Sequence, residues 1–238
     1  MSRRDELAAR LAALRDRVER ACRSAERDPA EVAVVVVTKT FAASDIRLLA
    51  AMGVHDIGEN RDQEAAPKAV ECADLELTWH FVGQLQRNKA ASVARYASVV
   101  HSVDRPRLVG ALDRAAASAG RVLRCLVQVS LADDEPGRPL GGAARAGAAA
   151  DQVIVIADLI AEAQSLQLGG VMAVAPLVAD PDAAFARLAD VAATVRNRHS
   201  TAIWISAGMS ADLEAAIHHG ATHLRVGSAI LGTRPPGG

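Results

Sequence analysis

The chain has 238 residues, half of them hydrophobic, 3% aromatic, and carries a formal net charge of −1. That length suits one large core, and the balanced charge argues against a general nucleic-acid or membrane-surface role, which needs a basic excess. Scarce aromatics also disfavour a stacking platform for single strands.

Residues 2–26 are predicted to form a leading helix, because Leu7, Leu11, Leu14 and Val18 share one face. Its arginines, Arg3, Arg4, Arg10, Arg15, Arg17, Arg20 and Arg23, alternate with Asp5, Glu6, Asp16 and Glu19 and read as a solvated face. Asp28-Pro29 ends it, so residues 1–28 are expected to pack as an extra helix on the rest of the chain. Eight apolar runs then succeed one another at 32–37, 54–57, 79–82, 98–100, 122–129, 168–172, 202–205 and 223–226. Alanine and leucine at helical spacing fill the intervals, with Ser44 as the expected cap of the first. Alternating strand and helix call for parallel strands with helical crossovers, and eight units predict a single α/β domain over 1–238, a (β/α)8 TIM barrel. The longest loop-like stretch, 132–142, follows the fifth run. Cys22, Cys72 and Cys125 lack metal-ligand spacing. No apolar stretch reaches membrane-spanning length, and residues 1–26 are too charged for a secretory leader, so the reading is a cytoplasmic protein, taken as a monomer.

In such a barrel the turns after the strands share one rim, which gathers Lys39, Gly58-Glu59-Asn60, Gly83-Gln84, 206–210 and 225–227. Lys39 admits two readings. Drawn toward a low-dielectric barrel, its amine becomes a nucleophile for an aldehyde; at a strand end it equally snorkels into water. Ser206 to Asp212 opens a helix, with Ser210 near its N-cap, where free N–H groups and a hydroxyl suit a phosphate or simply a cap. Arg225-Val226-Gly227-Ser228 adds a glycine and a second hydroxyl after the eighth strand. Closure sets strand eight beside strand one, so lysine and cradle together suit a phosphorylated aldehyde, with pyridoxal 5′-phosphate the candidate.

Six segments in order resemble the pyridoxal-phosphate homeostasis protein family, itself similar to the barrel domain of alanine racemases. They are Thr38-Lys39-Thr40, 58–64 (GENRDQE), 79–89 (WHFVGQLQRNK), 101–104 (HSVD), 208–217 (GMSADLEAAI) and 225–232 (RVGSAILG). The resemblance runs from about residue 30 to 234 and implies Lys39 as the Schiff-base lysine and Asn60 beside the cofactor ring. It places Ser206, Ser210, Gly227 and Ser228 at the phosphate and Arg225 against the pyridine nitrogen. The chain departs from the family at Phe41-Ala42 in place of lysine-proline, at Arg61 for a tyrosine, at Arg138 to Gly141 for Lys-Ser-Gly, and at Ala207 for a methionine. These change the lip of the pocket and no implied cofactor contact.

The resemblance implies cofactor buffering or delivery, with client apo-enzymes as partners, and no dedicated turnover. An arginine only donates, so the nitrogen facing Arg225 stays an unprotonated acceptor and a weak electron sink. Racemases of this type take a second acid/base from a tyrosine on a C-terminal β-domain, and none is expected here. Tyr96 reads as a structural residue, His80 and His101 as packed, hydrogen-bonded ones, and Asp104 as ordering the rim through Arg105 or Arg107. The alternative reading is an amino-acid racemase or related pyridoxal-phosphate enzyme.

Overall fold

A computed structural model of the chain describes residues 1–131, 147–176 and 180–232. The expected loop 132–142, with Arg138 to Gly141, lies outside the described residues. Helix α1 spans Arg3–Ser24, capped by Ser2, whose hydroxyl accepts from the Asp5 amide. The other elements, in order, are β1 (Ala33–Val37), α2 (Ala43–Ala50), β2 (Asp56–Glu59), α3 (Asp62–Glu71), β3 (Thr78–Phe81), α4 (Ala90–Tyr96), β4 (Val99–Val103) and α5 (Pro106–Ser118). They continue as β5 (Leu123–Gln128), α6 (Ala150–Glu162), β6 (Leu166–Met172), α7 (Pro181–Arg198), β7 (Trp204–Ser206), α8 (Leu213–His218), β8 (His223–Val226) and α9 (Ser228–Leu231). The eight strands pair in parallel, in sequence order, into a closed barrel.

The strands match the apolar runs because β-branched residues fit a pleat buried on both faces. β1 reads AVVVV, and β8 falls at the predicted 223–226. β2 begins two residues later than its run, because Val54 packs beneath the barrel while the ladder starts at Asp56 opposite Thr78. β4 extends three residues past its run, through His101, Ser102 and Val103, all buried. Polarity hid that extension: His101 sits in the ladder with both ring nitrogens hydrogen-bonded, while the buried Ser102 hydroxyl has no hydrogen-bond partner among the described residues.

The barrel seals where β8 meets β1, with Val35 opposite Arg225 and Val36 opposite Val226. Helix α1 covers the helices flanking this seam, burying Leu7, Leu11, Leu14 and Val18 as their spacing predicts. Each such side chain contributes about 1.5–3 kcal/mol of burial. The arginines of α1 are not all a solvated face. Arg3 holds Asp45 and the Leu231 carbonyl, Arg17 holds Glu214 and, at 2.7 Å, the Ser210 carbonyl, and just past the helix Arg27 donates to the carbonyls of Ile217 and Ala221. The leading helix therefore clamps the turns after β7 and β8.

Ser44 is not the cap of α2. That position is held by Ala42, which offers no side-chain acceptor. Ser210 likewise precedes the N-cap of α8, which is Asp212, whose carboxylate accepts the Met209 amide at 2.6 Å. The aspartate captures the turn's amide more strongly than a neutral hydroxyl, and this frees Ser210 for other partners.

Candidate functional site

The strand ends fix where the rim residues stand. β1 stops at Val37, paired with Gly58 of β2, and the Thr38 amide donates to the Gly58 carbonyl at 2.9 Å. Two residues on from the strand end, Lys39 turns outward. Thr40 then takes φ 70°, a left-handed conformation that a β-branched residue adopts only when its surroundings impose it. The carboxylate of Glu64 imposes it by accepting the Thr40 amide at 2.9 Å.

Behind this turn lies a buried ion pair. The Lys68 ammonium sits 2.7 Å from Glu59 Oε1 and donates to the Thr38 carbonyl at 3.0 Å, while the Thr38 hydroxyl donates to the same carboxylate at 2.6 Å. Burial pushes the Glu59 carboxyl up, and the bonds from Lys68 and Thr38 offset part of that shift. Lys39 is thus flanked by two anchored residues, one tied to β2 and one to α3.

These residues border a cleft of about 400 Å³ lined by Lys39, Asn60, Glu64, Gly227 and Ser228 among others, within the size range of small-ligand sites. Lys39 is exposed there, which fits the reading of a lysine that snorkels from the strand end and not that of an amine drawn into low dielectric. Its side chain extends past the strand end into an open mouth and makes no hydrogen bond or ion pair with a described residue. The chain has three lysines. Lys68 is buried against Glu59, Lys89 faces Asp62 at 3.8 Å, and Lys39 alone of the three has no carboxylate partner among the described residues.

Across the seam, the Ser228 hydroxyl donates to Ser210 Oγ at 3.2 Å, and the Ala229 amide approaches the same oxygen at 3.4 Å. Gly227 leans on the end of β1, where a Cβ would stand 3.0 Å from the Val37 carbonyl. Asn60 is held by the next turn, since a Cβ on Gly83 would fall 2.1 Å from its carbonyl oxygen and only glycine permits that approach.

Arg225 lies inside the barrel, buried, and donates to Ser206 Oγ at 2.6 Å and to the Ala173 carbonyl at 2.8 Å. No carboxylate pairs with it among the described residues. Burial lowers its pKa to about 10, so it stays protonated at neutral pH, with donors to spare for an acceptor above it. Ser206 is fully buried, and its hydroxyl is engaged by Arg225 and by His101 at 2.9 Å. The structure therefore groups Ser206 with Arg225, and groups Ser210 with Ser228, which lines the same cleft as Lys39.

The residues expected to be structural are so placed. Tyr96 packs edge-on against Trp79 at 6.2 Å in α4, and burial pushes its phenol up. Asp104 pairs with Arg105, which donates to the Leu85 carbonyl at 2.8 Å and ties two rim turns together. Among the described residues there is no cluster of three metal-ligating side chains, and no helix is long and apolar enough to cross a membrane. Sequence reasoning missed Glu64, the Glu59–Lys68 pair and Arg17. The first two carboxylates stand inside the GENRDQE segment, but nothing local shows which partner each would reach.

Comparison with known proteins gives a consistent picture. The family described as "Alanine racemase, N-terminal domain" matches residues 9–235. A Mycobacterium tuberculosis protein named "Pyridoxal phosphate homeostasis protein" is 43% identical over 98% of this chain and 94% of its own length. An Escherichia coli protein of the same name is 31% identical over 97% of each. Among solved structures, PipY of Synechococcus elongatus, described with PLP bound, superposes with a TM-score of 0.80 at 33% identity, covering 95% of this chain and all of that one.

Proposed function

The chain belongs to the alanine racemase N-terminal domain family and to the pyridoxal phosphate homeostasis proteins within it, and on that footing we propose that it holds pyridoxal 5′-phosphate reversibly on Lys39. The observation that carries this reading is the unpartnered Lys39 amine on a cleft that Gly227 and Ser228 also line, with the Ser228 hydroxyl in turn bonded to Ser210. The residues fit the group. Ser210, Ser228 and the close-packed Gly227 form a small polar cradle for a phosphate, and Asn60 walls the space for a ring. Arg225 supplies a buried cation with no carboxylate partner among the described residues, and Ser206 gives it an acceptor that fixes its orientation.

When bound, the cofactor supplies an aldehyde that condenses with an amine and an aromatic ring that can draw electrons from it. The role of this chain is storage and delivery to apo-enzymes, without dedicated turnover. Arg225 remains a donor at neutral pH and favours an unprotonated ring nitrogen, which weakens that electron sink. At the lip, Phe41 stacks beneath Arg3 at 5.7 Å, and Arg61 faces Glu64 at 3.7 Å, so these two arginines, unlike Lys39, are already engaged.

The test is borohydride reduction of purified protein with added pyridoxal phosphate, coupled to peptide mass spectrometry. The pyridoxyl adduct should map to Lys39 and vanish in Lys39→Ala. An adduct of equal yield in that variant would sink the assignment.

A further inference from the structure

Five side chains from five strands form an unbroken file through the barrel interior. Arg225 of β8 donates to Ser206 Oγ of β7 at 2.6 Å, and Ser206 Oγ lies 2.9 Å from His101 Nδ1 of β4. His101 Nε2 lies 2.9 Å from His80 Nδ1 of β3, whose Nε2 lies 2.9 Å from Asp56 Oδ1, the first residue of β2. Ser206, His101 and His80 are at most 1% exposed. Asp56 is open to solvent, with a side chain 37% exposed, and it borders a second cleft beneath the barrel, between α1 and the first residues of β1 and β2.

The chemistry of the ends dictates the sense of every link. A carboxylate only accepts, so His80 carries its proton on Nε2, and a neutral His80 must accept at Nδ1. His101 then carries its proton on Nε2 and accepts at Nδ1, which makes Ser206 the donor to it. A guanidinium only donates, so the Ser206 oxygen receives Arg225. All four bonds close in one direction with no proton left over. A charged His80 would reverse His101 and leave Ser206 Oγ with two donors, its own proton lacking an acceptor among the described residues.

We propose that Asp56, His80 and His101 are positioning residues for the cofactor site: the carboxylate at the opposite mouth of the barrel sets the direction of the file, and the file orients the Ser206 hydroxyl that holds Arg225. The part that concerns the cofactor rests on the proposed function; the tautomers are a property of the chain alone. The surroundings keep His101 neutral. Burial holds His101 well below its ordinary value, with His80, Arg225 and His223 adding to the effect. His223 on β8 has its ring 6.5 Å from that of His80 and is itself lowered to about 4, by burial and then by His80, with Arg124 adding. Asp56 is held below the usual carboxylate range by its bond to His80, helped by His223 and His55. Asp212 is the acid that acts on Arg225 from the rim.

The experiment is two-dimensional nitrogen-15 NMR of the imidazoles in the full chain without added cofactor, at pH 7.5. His80 and His101 should both show the Nε2–H form. Asp56→Asn, whose amide can donate as well as accept, should give His101 a mixture of tautomers or the Nδ1–H form, with Asp56→Glu restoring the parent pattern. In the same variant, pyridoxal phosphate should bind about threefold to tenfold more weakly, the worth of one ordinary hydrogen bond. An Nδ1–H tautomer at either histidine of the parent, or unchanged tautomers and affinity in Asp56→Asn, would overturn the proposal. If the tautomers behave as stated while Lys39 traps no cofactor, the functional reading fails and the wiring stands.

Discussion

Removing Lys68 should be among the more damaging single changes, because it strands a buried charge. Lys68→Met keeps the length of the side chain but leaves Glu59, fully buried, with only the Thr38 hydroxyl; its Oε2 already lacks a partner. Breaking one side of such a pair costs about 3–5 kcal/mol, which for a chain of this size is a fall of roughly 6–20 °C in melting temperature. The deficit should depend on pH. Glu59 is already raised by burial, and without Lys68 it rises further. A carboxyl raised in the native state binds its proton more tightly than the unfolded chain does, so its penalty grows as pH climbs above the unfolded value near about 4.3. Urea unfolding should therefore show the Lys68→Met deficit largest near pH 8 and much smaller near pH 5. The double variant Glu59→Gln/Lys68→Met should recover to within about 1–2 kcal/mol of the parent, since neutral replacements remove the uncompensated charge. A deficit under about 1 kcal/mol, or one that does not change with pH, would refute the view that the pair is a coupled buried unit. The loss should reach the cleft as well, because Lys68 also holds the carbonyl preceding Lys39, so trapping at Lys39 should fall in parallel.

Ser210→Ala should weaken pyridoxal phosphate by about 1 kcal/mol, roughly fivefold, while leaving unphosphorylated pyridoxal nearly unaffected; equal losses in titrations of the two ligands would confine Ser210 to a structural role. Gly83→Ala should cost about 1–3 kcal/mol by overpacking against the Asn60 carbonyl, read as a lowered urea midpoint, and an unchanged midpoint would show that the turn yields freely. His101 and His223 are held neutral in the fold, so the unfolded chain takes up their protons first as pH drops. Stability should be full above about pH 6.5 and fall by up to roughly 2–3 kcal/mol per unit between about 6 and 4; a flat profile there would contradict their burial as neutral imidazoles.

What the sequence by itself determined is the order of the barrel and the address of its chemistry. Apolar runs of strand length alternating with helical spacing leave little choice but parallel strands and crossovers, and β8 and the buried face of α1 match that pattern residue for residue. Closure then places Lys39 beside Gly227 and Ser228, because each is tied to the end of a strand whose neighbours are known. The partners of polar side chains belong to the tertiary structure. Ser206 bonds to His101, 105 positions away, Arg17 to the Ser210 carbonyl, 193 away, and Lys68 to Thr38, 30 away. Periodicity tells which face of a strand is buried but not which strand lies across the barrel. A buried serine, histidine or glutamate reads as a surface residue until the partner that satisfies it is in place.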